Sequence, residues 1–222
     1  MGHIAEDLFL LLLDNASAQP SLDRPRRDHV LGAAVLLDLA HAGHVRPAVP
    51  GDPVPDGRLV ALASATPLDP VTGPGRELLA TRALRPDTAI KKLGRHSEDR
   101  LVTRLEQLGQ IRRVDTGNAL RRGHALPLTT RARVGPARTA VLSALFDRTP
   151  PPPVTAAVIT LLHAVDGLGA LLSLNDRGWR WVHGRAAAIA GGSWVDESPT
   201  TVAEINLAVT AAAVRQGLAR LT

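Results

Sequence analysis

Residues 97–128 read S-E-D-R-L-V-T-R-L-E-Q-L-G-Q-I-R-R-V-D-T-G-N-A-L-R-R-G-H-A-L-P-L, and the two halves follow different periods. Ser97 suits a helix N-cap, with Glu98 and Asp99 in the first turn and Arg100 behind them. Leu101, Leu105 and Leu108 then recur on one inward face until Gly109 stops the helix. Beyond it, residues 111–114 and 119–128 alternate loosely around Thr116-Gly117-Asn118, which predicts a β-hairpin. A helix feeding a basic hairpin leaves two architectures open: a helical domain with a protruding hairpin, or a winged-helix-like DNA binder whose hairpin is the wing.

The flanking sequence favours the first. Residues 4–14 are apolar on nearly every side of a helix, as expected of a short helix buried all round. A second helix opens at Asp23 or Arg24, tolerates Pro25 in its first turn and stops at Gly43. Residues 47–57 are loop, 58–63 a short strand and 76–84 a short helix, after which Pro86 reopens helix to about Leu93. Downstream, residues 131–146 are helical and the prolines at 150–153 break the chain. The twelve almost wholly apolar residues 154–165 make a central core helix, too short to span a bilayer. Residues 179–190 and 199–218 complete a mainly α chain with no repeat and no linker. We therefore expect a compact single helical domain over residues 1–222 with a protruding β-hairpin.

A chain of 222 residues with 45% apolar content can bury one sizeable core. Glu6 and Asp7 stand where a secretory signal would be positive, so a cytoplasmic protein, peripheral at the inner face of the membrane, is expected. Lys91 and Lys92 are the only lysines among abundant Arg, Ala and Pro, a composition that fits a high-GC bacterial gene. Charge is segregated: residues 1–23 carry four acids and no Lys or Arg, whereas residues 112–138 carry seven arginines against one aspartate. That pattern predicts one basic face able to meet phosphates of lipid or nucleic acid.

Several segments, read in order, resemble the Golgi phosphoprotein 3 family. They are I-A-E-D-L-F-L-L-L-L-D from Ile4, L-G-A-A-V-L-L-D-L-A-H-A-G-H-V from Leu31, D-R-L-V-T-R-L-E-Q-L-G-Q-I from Asp99 and A-L-P-L from Ala125. A-A-V-I-T-L-L-H-A-V-D-G-L from Ala156 and V-A-E-I-N-L-A-V-T-A-A-A from Val202 complete the series. The resemblance implies a non-enzymatic helical domain with a hairpin, without cofactor. Its eukaryotic members bind phosphatidylinositol 4-phosphate and grip the cytosolic tails of membrane proteins. The implied partners here are an anionic membrane lipid, a phosphoinositide among the candidates, and such tails.

Position by position, the family's headgroup tryptophan falls on Asp23 and its helix arginine on Gly32. Of the two arginines before the Ser97 helix, Arg95 matches the first and Glu98 occupies the second. Arg24, Arg26, Arg27, Lys91, Lys92 and Arg100 lie near these positions and can rebuild a basic pocket. Arg95 is expected at the open N-terminus of the Ser97 helix, where the dipole favours an anion, and arginines placed at Gly32 and Glu98 are expected to restore the family pocket. In the hairpin, Leu120 is worth roughly 1.5–3 kcal/mol if buried. Arg112, Arg113, Arg121 and Arg122 are each worth about 1 kcal/mol near an anionic surface. Electrostatic docking is therefore expected to outweigh insertion, and the alternative role for the hairpin is to join a second copy into a homo-oligomer.

Other chemistry is weakly represented. His29, His41 and His44 lack an acidic partner at metal-ligand spacing, so no metal site is expected. His163 beside Asp166 reads as a satisfied core histidine rather than a catalytic base, and no nucleophile or phosphate loop appears. Trp179, Trp181 and Trp194 read as core plugs. Nucleic acid is a disfavoured partner, because Arg100 and Arg104 share a helix with Glu98, Asp99 and Glu106, which would repel a groove.

Overall fold

The computed structural model describes residues 3–115, 124–196 and 201–221. Among them nine α-helices run α1 (Ile4–Leu13), α2 (Arg24–His41), α3 (Gly73–Thr81), α4 (Pro86–Gln107), α5 (Val134–Phe146), α6 (Pro153–Ala164), α7 (Asp176–Ala190), α8 (Ser193–Asp196) and α9 (Val202–Leu218). Two small antiparallel pairs accompany them: β1 (Val45–Pro47) with β2 (Leu59–Ala61), and β3 (Val114–Asp115) with β4 (His124–Ala125). The fold is mainly α with a small hairpin, as the sequence predicts.

α2 is central and packs on α1, α4, α6 and α9. Its residues from Val30 to Ala40 are buried throughout. α1 is enclosed on every side, with Leu8 to Leu13 at most 1% exposed. Such a helix cannot reach water to satisfy its first N–H groups, and His3 offers no side-chain cap. Asp38 of α2 does so instead: its carboxylate accepts from the N–H of Ile4 at 2.6 Å and of Ala5 at 2.9 Å. At α2 and α9 local signals suffice. Asp23 caps α2 at the N–H of Arg26, and Thr201 and Glu204 form a capping box on α9.

The expected helix boundary at Ser97 is overturned. α4 runs unbroken through it, and the Ser97 hydroxyl donates to the carbonyl of Leu93 at 2.8 Å, one turn back inside the helix. Gly94, which reads as a break, is a packing device. A Cβ there would lie 2.2 Å from the carbonyl oxygen of Asp28, and one on Gly32 would lie 2.5 Å from that of Ile90. Two glycines thus let the backbones of α2 and α4 touch, which is how the longest helix seats on the central one. Leu108, expected to face inward, is 40% exposed, whereas Leu101 and Leu105 are fully buried. No helix among the described residues is long and apolar enough to cross a membrane.

Candidate functional site

The glycine-mediated crossing leaves a shallow basin of about 470 Å³ above it, between the first turns of α2 and the middle of α4. Arg24, Pro25, Asp28 and His29 line one side, Lys91 and Arg95 the other. Lys91 and Arg95 stand one turn apart on α4, both exposed, and neither has a carboxylate within 4 Å among the described residues. Arg24 is largely in solvent, its Nε 3.9 Å from the Asp28 carboxylate. Three cations therefore face one open concavity against a single acid. In sequence His29 is weighed only as a metal ligand and Asp28 is not singled out, although Arg24 and Asp28 share the i, i+4 spacing that places them on one face.

The remaining expected headgroup residues go elsewhere. Arg26 is held by the cap carboxylate of Asp23. Arg27 donates to Glu98 at 2.8 Å and to the carbonyl of Leu22 at 2.9 Å, so the acid in the family's arginine position is spent on a neighbouring cation. That pair borders a separate cavity of about 280 Å³ towards the hairpin, which also touches Asp99, Arg113 and His124. Lys92 is exposed but lies about 100° around α4 from Lys91, and Arg100 is half a turn away on the far side. Because α4 is continuous, Arg95 sits mid-helix and has no open N-terminus beside it. The expected helix-dipole contribution at Arg95 is withdrawn, and its side-chain charge remains.

The predicted basic face also needs correction, because the segregated charges find one another in the fold. Arg133 pairs with the buried Glu6 and, at 2.6 Å, with Asp7. Arg104 approaches Glu6 at 3.6 Å, and Arg131 and Arg138 approach Asp14 at 3.1 and 3.4 Å. Burial pushes the Asp7 carboxyl up even against the pull of Arg133. Three of the seven arginines in residues 112–138 thus fasten α1, and Arg113 is taken by Glu106 at 3.3 Å. Arg112 is exposed at the hairpin base, while Leu120, Arg121 and Arg122 lie outside the described residues.

Among the described residues no group of three His, Cys, Asp or Glu side chains could hold a metal ion. His44 is buried, and His41 is pushed below its ordinary value by burial. His163 is not the satisfied core histidine expected. Its Nδ1 is buried without a hydrogen-bond partner, and burial, His183 and Arg215 all depress it. Of the tryptophans, Trp194 is core and Trp179 partly so. Trp181 is 39% exposed, stacked on Phe146 with Arg148 over its ring.

Helical packing around a central apolar helix, with a small hairpin and an open basic basin, defines a mainly α domain with a hairpin. The family model described as Golgi phosphoprotein 3 (GPP34) matches residues 4–205, so this chain belongs to the Golgi phosphoprotein 3 family. No curated protein matches it. The family match replaces the winged-helix reading, and the helix preceding the hairpin is 22 residues long and packed against α2 and α9.

Proposed function

We propose that this chain is a non-enzymatic protein that docks on anionic membranes and takes a lipid headgroup at the basin of Arg24, Lys91 and Arg95. The observation that carries this reading is that Lys91 and Arg95 face solvent with no acid within 4 Å among the described residues, beside a largely exposed Arg24, while neighbouring Arg26 and Arg27 are neutralised by acids. A phosphate presented by a lipid can replace solvent there and gain charge-assisted hydrogen bonds from Lys91, Arg95 and Arg24. Asp28 in the same basin opposes a dianionic monoester, so the reading is of anionic lipid broadly, phosphoinositides included, rather than of one headgroup. Arg112 and the hairpin add a second electrostatic contact, and the cytosolic tail of a membrane protein is the client that family membership suggests. Membrane attraction should fade as salt screens exposed charges.

The test is flotation with phosphatidylcholine vesicles, with and without phosphatidylglycerol. Binding is expected only to the anionic vesicles. Lys91→Glu with Arg95→Glu should remove most of it, while two reversals elsewhere, Arg82→Glu with Arg177→Glu, should remove little. Equal loss in both pairs would reduce the attraction to net charge and sink the basin.

A further inference from the structure

We propose a second anion site, independent of the basin, in the cleft where the first turn of α4 meets the start of β2 and the last turn of α9, with a phosphate group as its ligand. Arg58, Arg85 and Arg220, from three separate segments, line one cavity of about 210 Å³ there. Among the described residues none of the three has a carboxylate within 4 Å, and Asp56 is the only acid lining the cavity. Nearby Arg46 shows the alternative, since both its terminal nitrogens bind Asp52 at 2.5 and 2.7 Å.

The arrangement is fixed by the fold. The Leu59 N–H donates to the carbonyl of Leu84 at 2.7 Å, tying β2 to the segment that leads into α4. Arg58 donates from one terminal nitrogen to the carbonyl of Ala83 at 2.8 Å, which sets its guanidinium beside Arg85 and leaves its other N–H groups to spend. Arg85 occupies the N-cap of α4, where no side chain caps the helix. α9 reaches this turn because Gly217 has no Cβ: one there would lie 2.9 Å from the backbone nitrogen of Asp87 and 3.0 Å from Cβ of Pro86. That approach brings Arg220 to the same cavity.

Three arginines lining one cavity against one acid concentrate positive charge there, and an anion with several acceptor oxygens relieves their mutual repulsion. Planar N–H forks match phosphate oxygens in pairs. The cavity is smaller than those that enclose drug-sized ligands, which suits a phosphate with a short ester arm. A free phosphate and the phosphomonoester of a lipid present the same chemistry.

The experiment is calorimetric titration of the whole protein with inorganic phosphate, followed by co-sedimentation with phosphatidylcholine vesicles containing phosphatidic acid. Arg85→Ala with Arg220→Ala should weaken phosphate binding by about tenfold or more. Asp56→Asn should strengthen it by a few-fold, a gain that misfolding cannot produce, and Arg177→Ala should leave it unchanged. With the basin disabled by Lys91→Glu and Arg95→Glu, residual vesicle binding that the double variant Arg85→Ala with Arg220→Ala abolishes would assign the phosphate to a lipid, and absence of such residual binding would assign it to a soluble compound. The site is overturned if the double variant binds phosphate as the unaltered protein does, or if Asp56→Asn weakens binding. It is equally overturned if Lys91→Glu with Arg95→Glu lowers phosphate affinity as much as the double variant, because the phosphate then sits in the basin.

Discussion

The knot around α1 and the basin above the α2–α4 crossing use the same residue types to opposite ends. At the knot, Arg133, Arg104, Arg131 and Arg138 reach across the chain to Glu6, Asp7 and Asp14, and their charge is consumed in fastening a helix that is otherwise wholly apolar. At the basin, Lys91 and Arg95 meet no acid and keep their charge at the surface. Charge counted along a sequence is therefore a poor guide to charge on a face. The most basic stretch of this chain contributes less free charge than its arginine count suggests, and a modest cluster on α4 contributes more.

The largest expected effect strikes the ground on which the basin stands. Gly32→Arg, which the family pattern recommends for headgroup binding, would drive a side chain into the backbone of α4, since even a Cβ meets the Ile90 carbonyl oxygen at 2.5 Å. Overpacking at a backbone contact should cost more than the roughly 1–3 kcal/mol of an overfilled side-chain core. A sharply lowered urea midpoint is expected, with no gain in lipid selectivity. A folded variant of ordinary stability would mean that α2 and α4 do not touch here.

Next comes the knot itself. Arg133→Ala would strand the Glu6 carboxylate, 3% exposed, and the nearby Asp7. Removing one partner of a buried pair costs on the order of 3–5 kcal/mol, and Arg104 at 3.6 Å from Glu6 should hold the loss towards the lower figure. Lys91→Ala and Arg95→Ala should each shift stability by less than about 0.5 kcal/mol. Chemical denaturation of the three variants checks the contrast, and equal losses would dissolve the distinction between fastening and facing charges.

Much of the fold is legible in the sequence because apolar periodicity reports burial. α1, α2, α6 and α9 follow their expected spans within a few residues. The Ser97 boundary failed because Gly94 and Ser97 imitate a stop and a start, and only the presence of α2 against Gly94 reveals the glycine as a contact. β1 was missed because three residues ending in Pro47 carry no alternation to read. In the basin, Arg24, Lys91 and Arg95 were within reach of sequence proximity and family resemblance. The diversion of Arg27 to Glu98, 71 residues away, depends on a tertiary pairing that no local pattern encodes.

Asp38 sharpens the comparison with the smallest of these effects. Like Glu6 of α1 it is a buried acidic side chain, but among the described residues no arginine answers it. It accepts instead from the N–H groups of Ile4 and Ala5, and it borders a cavity shared with His3, His41, His44 and Asp69. Burial pushes its carboxyl up to about 8, against the pull of those N–H groups, with Asp69 and Glu6 adding to the rise. A carboxyl raised in the folded state binds more protons folded than unfolded, so its contribution to stability is present at low pH and lost as pH rises through about 8. His41 and His163 are depressed and act in the opposite sense, but only below their ordinary value near 6.5. Between about pH 6.5 and 8 the Asp38 effect should therefore stand clear, at roughly 1.4 kcal/mol per pH unit at most. Asp7 is raised as well, so the comparison needs Asp38→Asn, which cannot ionise. Thermal unfolding followed across that window should show stability falling with pH in the unaltered protein and a flatter profile in Asp38→Asn. Identical slopes would mean that Asp38 is already ionised at pH 6.5, held so by the first turn of α1 as firmly as the arginines hold Glu6.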